Sequence, residues 1–361
     1  TTSFALEHLK EKRRLKNVCI GAPTGKAAQV LRSKGVKEAE TLHHLMYEPR
    51  EDQETGALYF KRRLDGPFTD ADLIVADEGS MIGDDVARDM ILSGKKILVI
   101  ADDAQLPPVS GQGMFCRGEP SFRLMEPHRT ALDSPVIRLA RMLRRGELPR
   151  RFGSVGNVHV LPLDTMTQRL VTRPRTQGIC GVHRVRMTYT RRIRALHGYE
   201  DPTPQAGERV ICRRNLRDAG LFNGAIGTLT KRASGAHGKH AGMLSLAVQM
   251  DGEDKARRNV IAHPWMFEAH YGAAAEVTKL PKGVVAFDFS YLITAHSSQG
   301  SEFSSVTVID DSHAFREHRW RWLYTAATRS QDELVLLLRD ADLAGSWRMP
   351  DFDDCPLPLA A

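Results

Sequence analysis

No stretch of this chain approaches the ~18 consecutive apolar residues that a membrane-spanning helix needs. The N-terminus has no basic segment followed by an apolar one, so it carries no secretory signal pattern. Cysteine is scarce and scattered: Cys19, Cys116, Cys180, Cys212 and Cys355, an odd number without a CxxC pair. That spacing argues against a disulfide framework or a zinc site and leads to the expectation of a reducing cytoplasm. No internal repeat, low-complexity tract or nuclease-type metal cluster is visible.

What is present is a chain of 361 residues, 42% hydrophobic and 26% charged, long enough for two or three domains with full cores. The net charge is +7 and the excess is clustered, with one dense arginine stretch from Arg138 to Arg151 and another from Arg169 to Arg194. Such clusters fit a polyanionic partner, most often nucleic acid. They equally fit solvated helix faces rich in arginine, and charge alone leaves both readings open.

Six short apolar runs end in polar residues: 17-NVCIGA-22, 73-LIVADE-78, 96-KILVIADD-103, 291-YLIT-294, 306-VTVID-310 and 334-LVLLLRD-340. Nearly continuous apolar runs of this length predict parallel strands buried on both faces. Helical patterns alternate with them at 3–14, 83–94 and 134–147, the last with Asp133 or Ser134 at the N-cap and Pro135 in its first turn. Strand–helix alternation predicts an α/β fold. Ligands in such sheets bind beyond the carboxyl ends of the strands, where these polar residues lie. Residues 48–70, with turn signals at Thr55-Gly56 and Gly66-Pro67, read as a small inserted hairpin; residues 207–285 read as a small β-barrel-like insert.

The stretch 21-GAPTGKAA-28 imitates a phosphate-binding loop without completing one. Only Ala22, Pro23 and Thr24 separate Gly21 from Gly25, where the motif needs four residues, and Ala27 stands where a hydroxyl should hold Mg²⁺. Pro23 also removes one N–H from any cradle. An ordinary strand-to-helix turn is the plainer reading; a third depends on the rest of the chain. Asp77-Glu78 at a strand end suit a Mg²⁺ water shell and a general base respectively, though acids there also cap helices. Gln105 in 101-ADDAQLPPV-109 can place its amide near a γ-phosphate or an attacking water, with Pro107-Pro108 stiffening the exit. Arg129 and Arg329 lie in separate halves and suit phosphate contacts; either can equally be a surface arginine. In 294-TAHSSQGSEF-303 the hydroxyls, His296, Gln299 and Gly300 suit backbone phosphates and a nucleotide edge, with His296 otherwise a structural histidine.

The ordered motifs APTGKAA with TLHHL (22–28, 41–45), VADEGSM (75–81), ADDAQLPPV, LMEPHRT (124–130), GERVICRRN with GLFNG (207–215, 220–224), YLITAHSSQGSEF and YTAATR (324–329) resemble superfamily 1 DNA helicases, most closely the RecD-like group and the Dda-type phage helicases. The resemblance spans nearly the whole chain. It implies two RecA-like parallel-sheet domains with a hairpin insertion and an SH3-like β insertion. The implied boundaries are 1–154 for the first domain, 155–206 with 286–345 for the second, 207–285 for the insert and 346–361 for a tail. It implies an ATP- and Mg²⁺-dependent translocase on single-stranded DNA, unwinding forks 5′-to-3′. Asp77, Glu78 and Gln105 would face the nucleotide from one domain and Arg329 from the other, with Arg129 joining the phosphate contacts.

By the same resemblance GAPTGKAA is a DNA-contacting motif, with Pro23, Thr24 and Lys26 on the phosphate backbone. His43, Asn223, Thr294, His296 and Ser298 join the DNA contacts, and Gly300 and Glu302 the nucleotide contacts. Tyr59 or Phe60 would stack on bases at the tip of a strand-separating pin, unless they form the hairpin's own core. Thr1 matches the last hydroxyl of the family's phosphate loop, so Thr1 and Thr2 are expected at the nucleotide, Thr1 with Asp77 on Mg²⁺. The Gly-Lys before it is not in this chain. The expectation is therefore a fragment that folds in large part but binds ATP poorly and hydrolyses little. Ala101 replaces a usual Gly, Ser297 a usual Lys and His183 a usual Asn. The expected setting is a bacterial or phage-infected cell, the expected state a monomer, and the expected partners DNA forks and replication or recombination proteins. A non-catalytic DNA-binding relative and a helicase subunit of a recombination nuclease complex stay open as alternatives.

Overall fold

The computed structural model describes residues 17–51, 58–108, 111, 113–124, 134–149, 151–165, 176–216, 219–273, 277 and 280–338. Its strands run β1 (Val18–Ala22), β2 (Glu40–Thr41), β3 (Tyr47–Glu51), β4 (Leu58–Arg62), β5 (Leu73–Ala76), β6 (Lys96–Val99), β7 (Gly153–Val155), β8 (Val158–Pro162) and β9 (Gln177–Cys180). They continue as β10 (Arg209–Cys212), β11 (Ile226–Leu229), β12 (Ser234–Gly235), β13 (Leu244–Met250), β14 (Arg257–Ala262), β15 (Phe287–Phe289), β16 (Leu292–Thr294), β17 (Phe303–Ile309) and β18 (Ser330–Leu338). The chain divides into two compact units, Thr1–Leu124 with Thr203–Phe289 and Gln299–Ser301, and Met125–Pro202 with Ser290–Ser298 and Glu302–Ala361.

The first unit is built on a parallel sheet of order β2-β1-β5-β6. Strand periodicity explains its two covered faces. Cys19, Ile74 and Ala76 join one buried cluster with Leu42, Leu45, Met46, Ala87 and Met90; Ile20, Ala22, Leu73 and Val75 join another with Ala27, Ala28 and Leu31. The Asp84–Leu92 helix therefore packs on one face and the Gly25–Ser33 helix on the other. The run at 96–103 departs from the expectation of two-sided burial: Lys96 and Leu98 are exposed. Among the described residues β6 is an edge strand paired only with β5, which accounts for the difference.

β3 and β4 pair antiparallel as the inserted hairpin, with Tyr47 opposite Arg62 and Pro49 opposite Phe60. A further six-stranded antiparallel sheet of order β12-β13-β11-β10-β15, with β14 on β13, belongs to the same unit. It reaches past the expected boundary at 285. β15 pairs with β10, and Phe289 packs edge-on against Phe267 with ring centroids 4.8 Å apart, so Phe287–Phe289 close this sheet.

The second unit carries a sheet of order β16-β9-β17-β18-β8-β7, parallel except for the edge pair β7–β8. The Pro135–Arg144 helix and β7 fall in this unit, although the sequence boundary at 154 assigns them to the first domain. The reason is their packing: β8, to which β7 pairs, lies on β18, and Gly146 after the helix lies against Trp320. Ser134 does occupy the N-cap of that helix with Pro135 behind it, without a side-chain capping bond. The expected helix at 3–14 and the tail at 346–361 lie outside the described residues.

Candidate functional site

In GAPTGKAA, β1 ends at Ala22 and a helix begins at Gly25. Thr24 is its N-cap, its Oγ1 accepting from Ala27 N at 3.2 Å. Gly21 is glycine for packing, because a Cβ there would lie 2.4 Å from Leu42 Cδ2. The stretch is thus a capped strand-to-helix turn. Lys26 is half-buried, and burial holds its ammonium below the usual lysine range, with Asp251 opposing that shift and Arg209 adding to it.

Beside this turn lies the tip of the antiparallel sheet. Phe222 packs against Gly25, where a Cβ would sit 3.2 Å from the Phe222 Cβ, and the Arg32 guanidinium stacks over its ring at 5.4 Å. Asn223 N donates to Asn215 Oδ1 at 2.8 Å, and a Cβ on Gly224 would lie 3.5 Å from Lys26 Cβ. Thr24, Lys26, Asn215, Phe222 and Asn223 thereby form one surface. Sequence reading found Lys26 and Asn223 but not the Phe222 contact, because nothing in local spacing signals which distant helix an exposed loop will meet.

At the end of β5 the ladder continues one residue beyond the strand, with Asp77 N donating to Gly21 O at 3.0 Å. Asp77 Oδ1 accepts from Glu78 N at 3.0 Å, and Oδ2 has no hydrogen-bond partner among the described residues. Glu78 adopts left-handed backbone, φ 52°, ψ 44°. That conformation costs a non-glycine residue about 1–2 kcal/mol, and such strain concentrates at functional sites. The following Gly79 donates to Ile100 O at 2.9 Å, and a Cβ on it would lie 2.3 Å from Val99 Cγ1. The carboxylate turn is therefore pinned against the start of the 101–108 loop. There Asp102 Oδ1 accepts from Ala104 N at 3.1 Å, and Gln105 Nε2 reaches Asp102 Oδ2 at 3.4 Å. The Gln105 side chain is buried, and its Oε1 has no partner among the described residues. A buried unmet acceptor is costly unless something else supplies the proton.

Gln299, buried, donates from Nε2 to Leu106 O at 3.1 Å across a sequence separation of 193, and its own Oε1 is likewise unmet. Gly300 follows at φ +71°, where a Cβ would meet Ala27 Cβ at 3.2 Å and Ala27 Cα at 3.4 Å. Gly300→Ala is expected to cost roughly 1–2 kcal/mol from the left-handed backbone alone, more with the close approach. Urea unfolding that gives an unchanged midpoint would contradict this.

The second unit holds Arg329, which is 4% exposed, its Nε donating to Thr325 O at 3.0 Å and Nη2 to Thr328 Oγ1 at 3.1 Å. Thr294 and Ser298, expected on DNA, are buried and engaged locally: Thr294 Oγ1 accepts from Ser297 N and pairs with Ser297 Oγ, and Ser298 Oγ donates to Ala295 O at 2.7 Å. Glu302 is exposed and accepts from Gln331 Nε2 at 2.9 Å. Thr1, Thr2 and Arg129 lie outside the described residues.

His296 lies near the Phe315 ring, at 6.0 Å. Burial, and then His318, holds its imidazole below the ordinary histidine range. A depressed histidine pKa favours the neutral form in the fold. The stability it contributes is present above the unfolded pKa of about 6.5 and is lost as pH falls through the lower folded value. Thermal melts across that window should be steeper in pH for the wild type than for His296→Asn; identical pH profiles would exclude the effect.

On the hairpin, Tyr59 is 50% and Phe60 62% exposed, so neither forms a core of its own. Phe60 meets the His43 ring edge-on, at 5.9 Å between ring centroids. Among the described residues no group of three or more His, Cys, Asp or Glu could hold a metal, and no helix is long and apolar enough to cross a membrane.

A family model described as the UvrD-like helicase C-terminal domain matches residues 289–337, and one described as an AAA domain matches residues 1–111. The ATP-dependent RecD2 DNA helicase of Deinococcus radiodurans is 27% identical over 380 aligned positions covering 97% of this chain; the chain spans only 46% of that relative. Among solved folds, Bacteroides Pif1 bound to ssDNA aligns at TM-score 0.54 and 17% identity over 94% of this chain and 87% of that one. A structure of two coordinating Pif1 helicases at forked dsDNA aligns at TM-score 0.51 and 18% identity, over 96% and 87%. The chain thus shares its fold with these structures, and the two matched models and the RecD2 relative make it similar to superfamily 1 DNA helicases of the RecD-like group.

Proposed function

We propose that this chain is the motor part of an ATP-dependent DNA helicase that moves 5′-to-3′ on single-stranded DNA and opens forks. The observation that carries this reading is the left-handed Glu78 beside Asp77, on a turn hydrogen-bonded to the strand exit that leads to Gln105 with its unmet buried Oε1. That set suits hydrolysis of a phosphoanhydride. Glu78 takes the proton of the attacking water, Gln105 orients that water, and Asp77 fits a divalent cation's water shell through Oδ2, which has no partner among the described residues. Mg²⁺ with ATP would supply the phosphoryl group and neutralise its charge. Arg329 and Arg129 are carried by the resemblance alone as guanidinium candidates for phosphate contacts.

The surface around Lys26, Asn215 and Asn223 suits a single-stranded backbone. A lysine whose charge is already disfavoured by burial gains most when a phosphate arrives. The antiparallel sheet that brings Phe222 and Asn223 there would be the SH3-like insert, and β3–β4 the pin. The proposed domain boundaries follow the two compact units, with residues 207–289 as the insert. The cytoplasm is the proposed location.

The test is unwinding by the full-length gene product of forks with one single-stranded tail, alongside ATP hydrolysis with and without single-stranded DNA. Forks with a 5′ tail should open, those with a 3′ tail should not, and binding should weaken steeply with salt as counterions are released. DNA binding without turnover would favour a non-catalytic relative instead, and salt-independent binding would exclude the phosphate groove.

A further inference from the structure

A two-stranded hairpin is marginal by itself in water, and β3–β4 exposes the aromatics at Tyr59 and Phe60 rather than burying them. Something else must hold its direction. Tyr47 and Arg62 are the paired residues at its base. Both reach one residue of the Asp84–Leu92 helix: Tyr47 Oη donates to Asp89 Oδ2 at 2.6 Å, and Arg62 donates through Nη2 to the Asp89 carbonyl, with its Nε 3.7 Å from Asp89 Oδ2. Arg63 closes the base, its Nε donating to His44 O at 3.0 Å and its backbone N to Met46 O at 2.8 Å.

That helix is no neutral support. It follows directly from the Gly79–Met81 turn behind Glu78. Its first residue, Asp84, accepts from Met114 N and from Arg117 Nη2, each at 3.0 Å, which ties it to the segment beyond Gln105. Ala87 and Met90 anchor its inner face in the core. One short helix thus joins the turn bearing the nucleotide carboxylates to both strands of the hairpin.

We propose that Asp89 is a positioning residue for strand separation: it clamps both strands of the hairpin base to the helix behind Glu78, so that Tyr59 and Phe60 meet a fork at a fixed angle. This rests on the helicase reading above. It assigns Asp89 no contact with nucleotide or DNA.

Asp89→Ala in the full-length protein separates the possibilities. Amides of β3 and β4 should exchange at least about 10-fold faster than in wild type, while those of β5 stay unchanged. Fork unwinding should fall at least about 10-fold, with DNA-stimulated ATP turnover held within about 2-fold. Asp89→Asn, which keeps an acceptor for Tyr47 but loses the charge beside Arg62, should restore part of the unwinding. Unchanged hairpin exchange overturns the clamp. Wild-type unwinding by Asp89→Ala, or equal losses in unwinding and turnover, overturns the positioning role while leaving the helicase reading intact. A wild-type protein that cannot unwind at all sinks the helicase reading and with it the positioning role; the exchange measurement still decides the clamp.

Discussion

Glu78→Gln is expected to lower DNA-stimulated ATP turnover by about 10²–10⁴-fold, the range that loss of a positioned general base produces, while leaving single-stranded DNA binding nearly unchanged. Glutamine keeps the size of the side chain and the left-handed backbone of the turn, so the Gly79–Ile100 hydrogen bond and the close packing on Val99 should survive. What would be lost is the proposed acceptor of water's proton. The measurement is steady-state hydrolysis by the full-length protein, with fluorescence anisotropy on labelled single-stranded DNA as the control. Turnover within about 3-fold of wild type would remove Glu78 from the chemistry. A parallel loss of DNA binding would mean that the turn itself had collapsed.

Asp311→Ala is expected to destabilise the second unit by about 1–3 kcal/mol, because two part-buried backbone donors lose a charged acceptor. Asp311 is 1% exposed. Its Oδ1 accepts from Gly181 N at 2.5 Å and its Oδ2 from Val182 N at 3.0 Å, at the start of the His183–Leu196 helix. A negative charge there also meets the positive end of the helix dipole. The approach is close enough that a Cβ on Gly181 would lie 2.5 Å from Asp311 Oδ1 and 2.4 Å from Phe315 Cε2, so only glycine fits.

Burial nonetheless raises the Asp311 pKa, against the pull of the two backbone hydrogen bonds. A raised carboxylate pKa means that the proton-linked stability is greatest at low pH and is lost as pH rises through the folded value. At neutral pH the charge itself works against the fold; what Asp311→Ala removes is the pair of acceptor oxygens, which leaves Gly181 N and Val182 N without their partner. The net loss in Asp311→Ala should lower the thermal midpoint by roughly 2–12 °C for a protein of this size. A midpoint within about a degree of wild type would show that water replaces the carboxylate at no cost.

The six apolar runs were legible as strands because their cause is local, whereas β8 and β9 of the second unit's sheet were not among them. At Leu73–Ala76 four apolar residues in a row can be satisfied only by a strand covered on both faces, and the polar Asp77-Glu78 that follow mark its carboxyl end. Thr24, expected on the DNA backbone, caps the helix that starts at Gly25. The motif order was enough to give the resemblance to superfamily 1 helicases without any structure. At 96–103 the same logic overreached. Local apolarity says that a strand forms, whereas exposure of Leu98 depends on which strands lie beside β6.

The sequence by itself determined the α/β class, the two inserts, and the residue types that can handle a phosphate or a base. The tertiary structure alone decided which of those groups stay available. It engages Thr294 and Ser298 within their own turn and leaves the Gln105 and Gln299 oxygens without a partner among the described residues. It also sets Phe222 against Gly25 and Arg32, and binds the hairpin base to Asp89. The physical reason is the range of the forces. Strand, helix and cap preferences are settled within a few neighbours along the chain, whereas contacts such as Tyr47 with Asp89, 42 positions apart, and Gln299 with Leu106, 193 apart, depend on groups whose arrival no local pattern announces.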